Sequence, residues 1–467
     1  MYFFRTYLPP TFVRAFALMS ALAVVSLSPA ATRTWTGNSG ADWATAGNWN
    51  TGAPASGDSV IFSGSKNLAS NVGSGSWNWD IASITFASGA GAFSLNSGGL
   101  NIGSGGVTNN SANTQTINSQ TVLTANQTWT ANTGAIVTGN SYFNANSKNL
   151  TLAGSKDITM AGQIGNVANL TITGSGNRTF TNTVQTTSSG VVNFNGTGTT
   201  TFTQQLNAGT VNLTSGTTNF AAVQNVNGGI NISGTASATF NGDVAANSSG
   251  ININTTGNIV FNGKINSGAL TLNNGNVRIS GSGDNDLPSA VVNGGTLTLD
   301  QSGGRAIIHD ITVNNGGTVK FEGNSQVPSG GTSLTLNEGG TLYLGNTNQT
   351  FQSLNITGDS VIDFGSSGSQ LNVGSGGITI ANNITITIVN WNSSMGDVFA
   401  GANPGNPVVN VQYADSSGNI YASGTWGSGY ITPGAPVPEP ATYGLLMLGA
   451  GVTFVGCRRR SRAVVSV

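Results

Sequence analysis

Between residues 150 and 354, short apolar segments recur in which a hydrophobic residue alternates with Thr or Asn. They read LTLAG at Leu150, LTITG at Leu170, VNFNG at Val192, VNLTSG at Val211, INISG at Ile230, ININT at Ile251, LTLNN at Leu270, VVNGG at Val291, ITVNN at Ile311, LTLNE at Leu334 and LNITG at Leu354. Successive starts lie 20, 22, 19, 19, 21, 19, 21, 20, 23 and 20 residues apart. A second series follows about half a unit later. It comprises Phe180, Phe202, Phe220, Phe240 and Phe261, then segments at Leu297, Val319, Leu342 and Val361. Strict alternation turns one face of a strand inward and the other to solvent. Gly-Gly, Asn-Gly and Ser-Gly pairs mark the corners. The pattern predicts two or three short strands per unit.

A unit of about 20 residues cannot bury its own apolar face, whereas stacked units bury a common core and pair every backbone group above and below. The predicted fold is all-β: a right-handed parallel β-helix, or β-solenoid, with about 20 residues per coil. The competing arrangement is an array of β-sandwiches. Its hairpins would want two-residue turns between neighbouring strands, and the period is too even for that. Stacking also makes column predictions. Asn193, Asn212, Asn231 and Asn252, spaced 19, 19 and 21 apart, line up as a hydrogen-bonded ladder. The phenylalanines line up as an interior aromatic column.

The ends break the pattern. Residues 31–90 are irregular and hold Trp35, Trp43 and Trp49, so they read as an N-terminal cap and first strands. Residues 91–380 are the repeats, and 381–432, with Trp391 and Trp426, read as the closing cap. Residues 433–440 form a Pro-rich linker, and 441–467 an apolar, then basic, tail. Of 467 residues only 7% are charged, and 68 are Gly. Like charges repeated in every coil would stack about 4.8 Å apart and repel. Between residues 31 and 440 there are 9 basic and 16 acidic residues, a net of −7. That balance excludes a nucleic-acid partner, which needs clustered Lys and Arg. The one cysteine, Cys457, lies in the tail, so the body has no disulfide framework.

Residues 1–30 read as a secretory signal: Arg5 and Arg14, an apolar run over 15–27, and Ser28-Pro29-Ala30 with cleavage after Ala30. This implies the Sec machinery and signal peptidase as partners; an N-terminal membrane anchor is the alternative. At the other end, 17 uncharged residues (441–457) precede Arg458, Arg459, Arg460 and Arg462. This is near the minimum for a single transmembrane helix, with the arginines held on the cytoplasmic side. Val437, Pro438, Glu439 and Pro440 stand just outside that span, kept extended by proline. A membrane protease could grip such an exposed tetrapeptide; a permanent anchor is the plainer use. The order VPEP, short span, arginine cluster resembles the PEP-CTERM sorting signal of Gram-negative bacteria. The resemblance covers about the last 30 residues. It implies an exosortase-type transpeptidase as partner and export to the envelope or surface, often alongside exopolysaccharide.

The Trp-rich start and Gly-rich coils resemble autotransporter-associated β-strand repeat proteins, most clearly in SGSGDNDLPSAVVNGGTLTLDQSG. The translocating β-barrel of that family is not expected here, because a barrel needs eight or more strands.

Candidate chemistry is sparse. Asp284 and Asp286 in GDNDLP form the tightest acidic pair, a turn feature or a carboxylate pair for glycoside cleavage or Ca²⁺. The EF-hand and G-G-x-G-x-D patterns are missing. His309-Asp310 is the one His–acid neighbour. Trp77 and Trp79 share one face of a strand, to stack on sugars or to bury in the cap junction. No catalytic, cofactor or metal site is assigned. The expected function is a non-enzymatic structural or adhesive surface protein that meets exopolysaccharide or other cells. A polysaccharide-binding or polysaccharide-degrading β-helix is the alternative.

Overall fold

The computed structural model describes residues 30–436 apart from 248, 367 and 403–410, without the side chains of 74–77, 435 and 436. The predicted signal before Ala30, the predicted span 441–457, and Val437, Pro438, Glu439, Pro440, Arg458, Arg459, Arg460 and Arg462 all lie outside the described residues. Among the described residues no helix is long and apolar enough to cross a membrane.

The chain winds into a β-solenoid of about 16 turns with about 21 residues per turn. A regular turn holds three strands, each paired in parallel with its equivalents one turn before and after. Leu150–Ala153 lies between Gln127–Ala131 and the end of Ile164–Ile172. Thr217–Phe220 lies between Thr199–Phe202 and Ser237–Phe240. Gln224–Val226 lies between Leu206–Ala208 and Val244–Ala246. These series are the first, second and third columns. Longer strands bend round a corner and serve two columns, as Ile251–Phe261 does for the first and second.

Alternation sets the core. Leu150, Leu170, Val192, Val211, Ile230, Ile251 and Leu270 follow one another in register, all buried. The next member is Ala290, not Val291: Leu270 pairs with Ala290 and Ala290 with Ile311. Val292 sits between Leu272 and Val313. A one-residue slip would expose it along with its neighbours, so Val291 faces outward.

The phenylalanine column forms as expected. Phe180, Phe202, Phe220, Phe240 and Phe261 stack with centroids 4.6, 5.4, 4.7 and 4.8 Å apart and planes within 13° of parallel. It continues through Ile279, Leu299 and Phe321. Leu297 and Val319 belong to the adjacent inward row, two residues earlier. Outside the first column, the Nδ2 atoms of Asn212, Asn231 and Asn252 each donate to the Oδ1 of the preceding asparagine, at 2.9, 3.0 and 3.3 Å.

The corner between first and second columns explains part of the glycine content. Gly154 and Gly174 have φ of +102° and +81°, and a Cβ on Gly174 would lie 2.2 Å from the Gly154 oxygen. Only glycine fits such a close stack in that conformation. Four residues after Gly174, the fully buried Arg178 donates to the carbonyls of Lys156 (2.9 Å), Asn177 (3.0 Å), Gly154 (3.1 Å) and Thr173 (3.0 Å). Burial lowers its pKa, and Asp157 opposes the shift.

In the later coils the third column changes character. Buried glutamines replace part of the backbone ladder: Gln301 N donates to Gln326 Oε1 at 2.7 Å, and Gln326 N to Gln349 Oε1 at 3.0 Å.

Both ends are closed. At the start, Thr36 N donates to Asn48 O at 2.8 Å and Asn50 N to Thr34 O at 3.0 Å, so residues 48–50 run along the first strand, Thr32–Trp35. Trp49 meets Trp35 and Trp43 edge-on, at 5.0 and 5.4 Å. At the far end the pairing turns antiparallel: Val411–Ala414 with Ile420–Gly427, and that strand with Tyr430–Pro436. Residues 433–436, placed in the linker on sequence grounds, thus run as strand.

Candidate functional site

The acidic pair sits at a corner of the third column. Asp284 and Asp286 are exposed on either side of buried Asn285. Asn285 Oδ1 accepts from Ile265 N at 2.9 Å, and its Nδ2 donates to Ala306 O at 2.9 Å. Asp284 Oδ1 accepts from Arg305 N at 2.7 Å, and its carboxylate lies 3.9 Å from the Arg305 guanidinium. These contacts bind one turn to the next. His309 and Asp310 are both exposed, and Asp310 accepts from Ser333 N at 3.3 Å. Among the described residues no group of three or more His, Cys, Asp or Glu is placed to share a metal ion.

Sequence reasoning missed a charge network on the outer face of the second column. Arg278 is bonded to Asp300, and to Glu322 at 2.7 Å; Lys320 reaches Glu322 at 2.7 Å and lies 5.2 Å from the centre of the Tyr343 ring. The bond from Lys320 holds the Glu322 carboxyl below its usual range; burial works against it, and Arg278 adds to the lowering. Burial works against the Arg278 charge, but Glu322 and Asp300 outweigh it and raise its pKa. The signal was available, since Asp300 lies 22 residues, one coil, after Arg278, and Glu322 lies 44 residues, two coils, after it. Opposite signs one coil apart attract where like signs would repel.

The tryptophan pair divides. The Trp77 side chain lies outside the described residues. Trp79 is half-buried; its ring is 6.0 Å from that of Trp43, and its Nε1 donates to Val72 O. One side packs on the cap, and the other lines a cleft of about 540 Å³ with Asp42, Ala44, Pro54, Ser56, Val72, Gly73, Asn78 and Asp80. A second depression, of about 420 Å³ along the third column, is lined by hydroxyls, amides and small apolar groups without a charge.

No curated protein and no solved structure matches the chain. Residues 436–460 match the PEP-CTERM protein-sorting motif, which covers Val437, Pro438, Glu439, Pro440, Arg458, Arg459 and Arg460 and stops short of Arg462. The motif implies recognition by an exosortase and export toward the cell surface, so this chain is a β-solenoid that carries a PEP-CTERM sorting motif at its C-terminal end.

Proposed function

We propose that this protein is a non-catalytic structural or adhesive rod of a Gram-negative cell surface or extracellular matrix. A Sec-type signal ending at Ala30 exports it, and an exosortase processes it in the Val437, Pro438, Glu439, Pro440 region. The single span and Arg458, Arg459, Arg460 and Arg462 hold the precursor in the membrane until then. The observation that carries this reading is the sorting motif placed directly after a solenoid closed at both ends. At about 4.8 Å per coil the rod is roughly 75 Å long. It presents Thr and Asn outward, with few charges. The likeness to autotransporter-associated repeats supports the same role by analogy of architecture.

Mass spectrometry of the mature protein from its native host tests the sorting step. The expected C-terminus lies near Pro440, with Cys457 and the arginines gone. A mature chain that retains them is permanently anchored, and the processing reading fails. The polysaccharide-degrading alternative predicts new reducing ends from a polysaccharide panel, abolished by Asp284→Asn or Asp286→Asn. Turnover with that dependence would replace the structural reading.

A further inference from the structure

The sorting motif follows the last coil, so the first coils form the opposite end of the rod, roughly 75 Å away at about 4.8 Å per coil. The Trp79 cleft lies at that end. Its walls are fixed by main-chain bonds: Trp43 N donates to Asn71 O at 3.0 Å, Asn71 N to Ala41 O at 2.7 Å, and Gly57 N to Asp80 O at 2.9 Å. The indole is held by its bond to Val72 O and its packing on Trp43, so it keeps one orientation. Asp80 Oδ1 accepts from Asn101 Nδ2 at 2.6 Å, which orients the carboxylate at the rim. Asp42 and Asn78 are exposed beside it. Among the described residues the lining includes two carboxylates and neither lysine nor arginine.

We infer that this cleft is a binding site for a neutral hexopyranose unit of a glycan. A pyranose has an apolar C–H face, which matches one flat indole. Its hydroxyls are donors, and a carboxylate takes O–H donors in short charge-assisted bonds. A rigid apolar wall with a few convergent polar groups is the usual form of a small-ligand site. The two carboxylates repel uronates, sialates and phosphates, so the ligand is not an anion. Among the described residues one indole lines the cleft, a single wall of the aromatic cage that quaternary ammonium ions favour. On the rod proposed above, the site stands at the tip, where it reaches a matrix chain or a neighbouring cell before the shaft does.

Isothermal calorimetry on the mature exported protein tests the inference with short neutral gluco- and galacto-oligosaccharides, uronate oligomers and choline. Saturable binding of a neutral oligosaccharide is expected, one per chain. Trp79→Ala weakens it about tenfold or more, as for an aromatic anchor in a small site. Asp80→Asn weakens it several-fold, and Trp79→Phe, which keeps the packing on Trp43, retains part of it. Asp42→Lys, at an exposed position, shifts preference toward uronates without loss of fold. The inference is overturned by absence of saturable neutral-sugar binding, by binding that Trp79→Phe and Asp80→Asn leave unchanged, or by uronate or choline binding as tightly as neutral sugar. Antibody labelling of intact cells reports on display separately. Sugar binding by a chain that never reaches the surface refutes the rod reading and leaves this site standing.

Discussion

Phe220 is clasped by Phe202 below and Phe240 above, at 5.4 and 4.7 Å, and is 1% exposed. Both neighbours are pinned by their own strands, so the space left by Phe220→Ala cannot collapse. The expected cost is about 3–5 kcal/mol. Asn231→Ala also breaks a ladder, but an exposed one whose neighbours turn to water, and should cost about 1 kcal/mol or less. Thermal or denaturant unfolding of the two variants measures the contrast; equal losses would mean that the outer ladder holds the rod as firmly as the core. Asp58 predicts a pH effect. Burial alone would raise its pKa, but Ala55 N, Arg33 and Ala31 N bond the carboxylate and lower it overall. A lowered folded-state pKa stabilises above the unfolded value near 3.9 and is lost as pH falls through the folded value. The first strand should therefore loosen in acid below about pH 4, and Asp58→Asn should flatten that limb of a stability–pH curve. The columns were legible in the sequence because Phe and Asn recur at one spacing. Arg178 was not, because its partners are four main-chain carbonyls and no residue pattern announces a carbonyl cluster. Trp79 was half legible: strand alternation gave its face, but only the cap loop decides which part of the ring stays open.

At the scale of the coil, the unit is interchangeable where its three columns stay in step. Removing residues 211–229 would bring Ile230 to the place of Val211, Phe240 to that of Phe220 and Val244 to that of Gln224, as their pairings show. That deletion should fold, with stability lowered by about one repeat's share. Removing only half as many residues would set second-column strands against first-column ones and turn the apolar rows out. Circular dichroism and hydrodynamic radius separate the outcomes; a folded half-coil deletion would show that register does not govern this solenoid. The sequence displayed this unit through its alternation. It misplaced Val291 because two valines and an alanine are adjacent there, and only the strands above and below choose among them. The later third column was harder still to read, because glutamine side chains replace backbone partners and leave no alternation to follow.

At the scale of the whole molecule, a stack of parallel strands has two exposed edges, and each is a template for another copy. The two ends are closed in different ways. Residues 48–50 and the tryptophans cover the first strand, and at the far end the chain reverses into antiparallel pairing, so a further parallel coil finds no matching edge. A terminal edge complementary to the opposite end would assemble head to tail, and such contacts do not close but extend into filaments. A surface rod that must remain a single unit therefore needs its caps as much as its coils. Ending the chain after Ala400 removes one of the two partners of Ile386–Val389 and one of the two of Val398–Ala400, leaving those edges open. The shortened protein should keep its β circular dichroism yet grow in size with concentration by light scattering. Its fibres should show an axial reflection near 4.8 Å, while the intact protein stays monomeric under the same conditions. If the shortened form keeps its β signal and remains monomeric, the antiparallel strands are decoration rather than a cap. Solubility of the rod would then rest on its uncharged Thr and Asn surface alone.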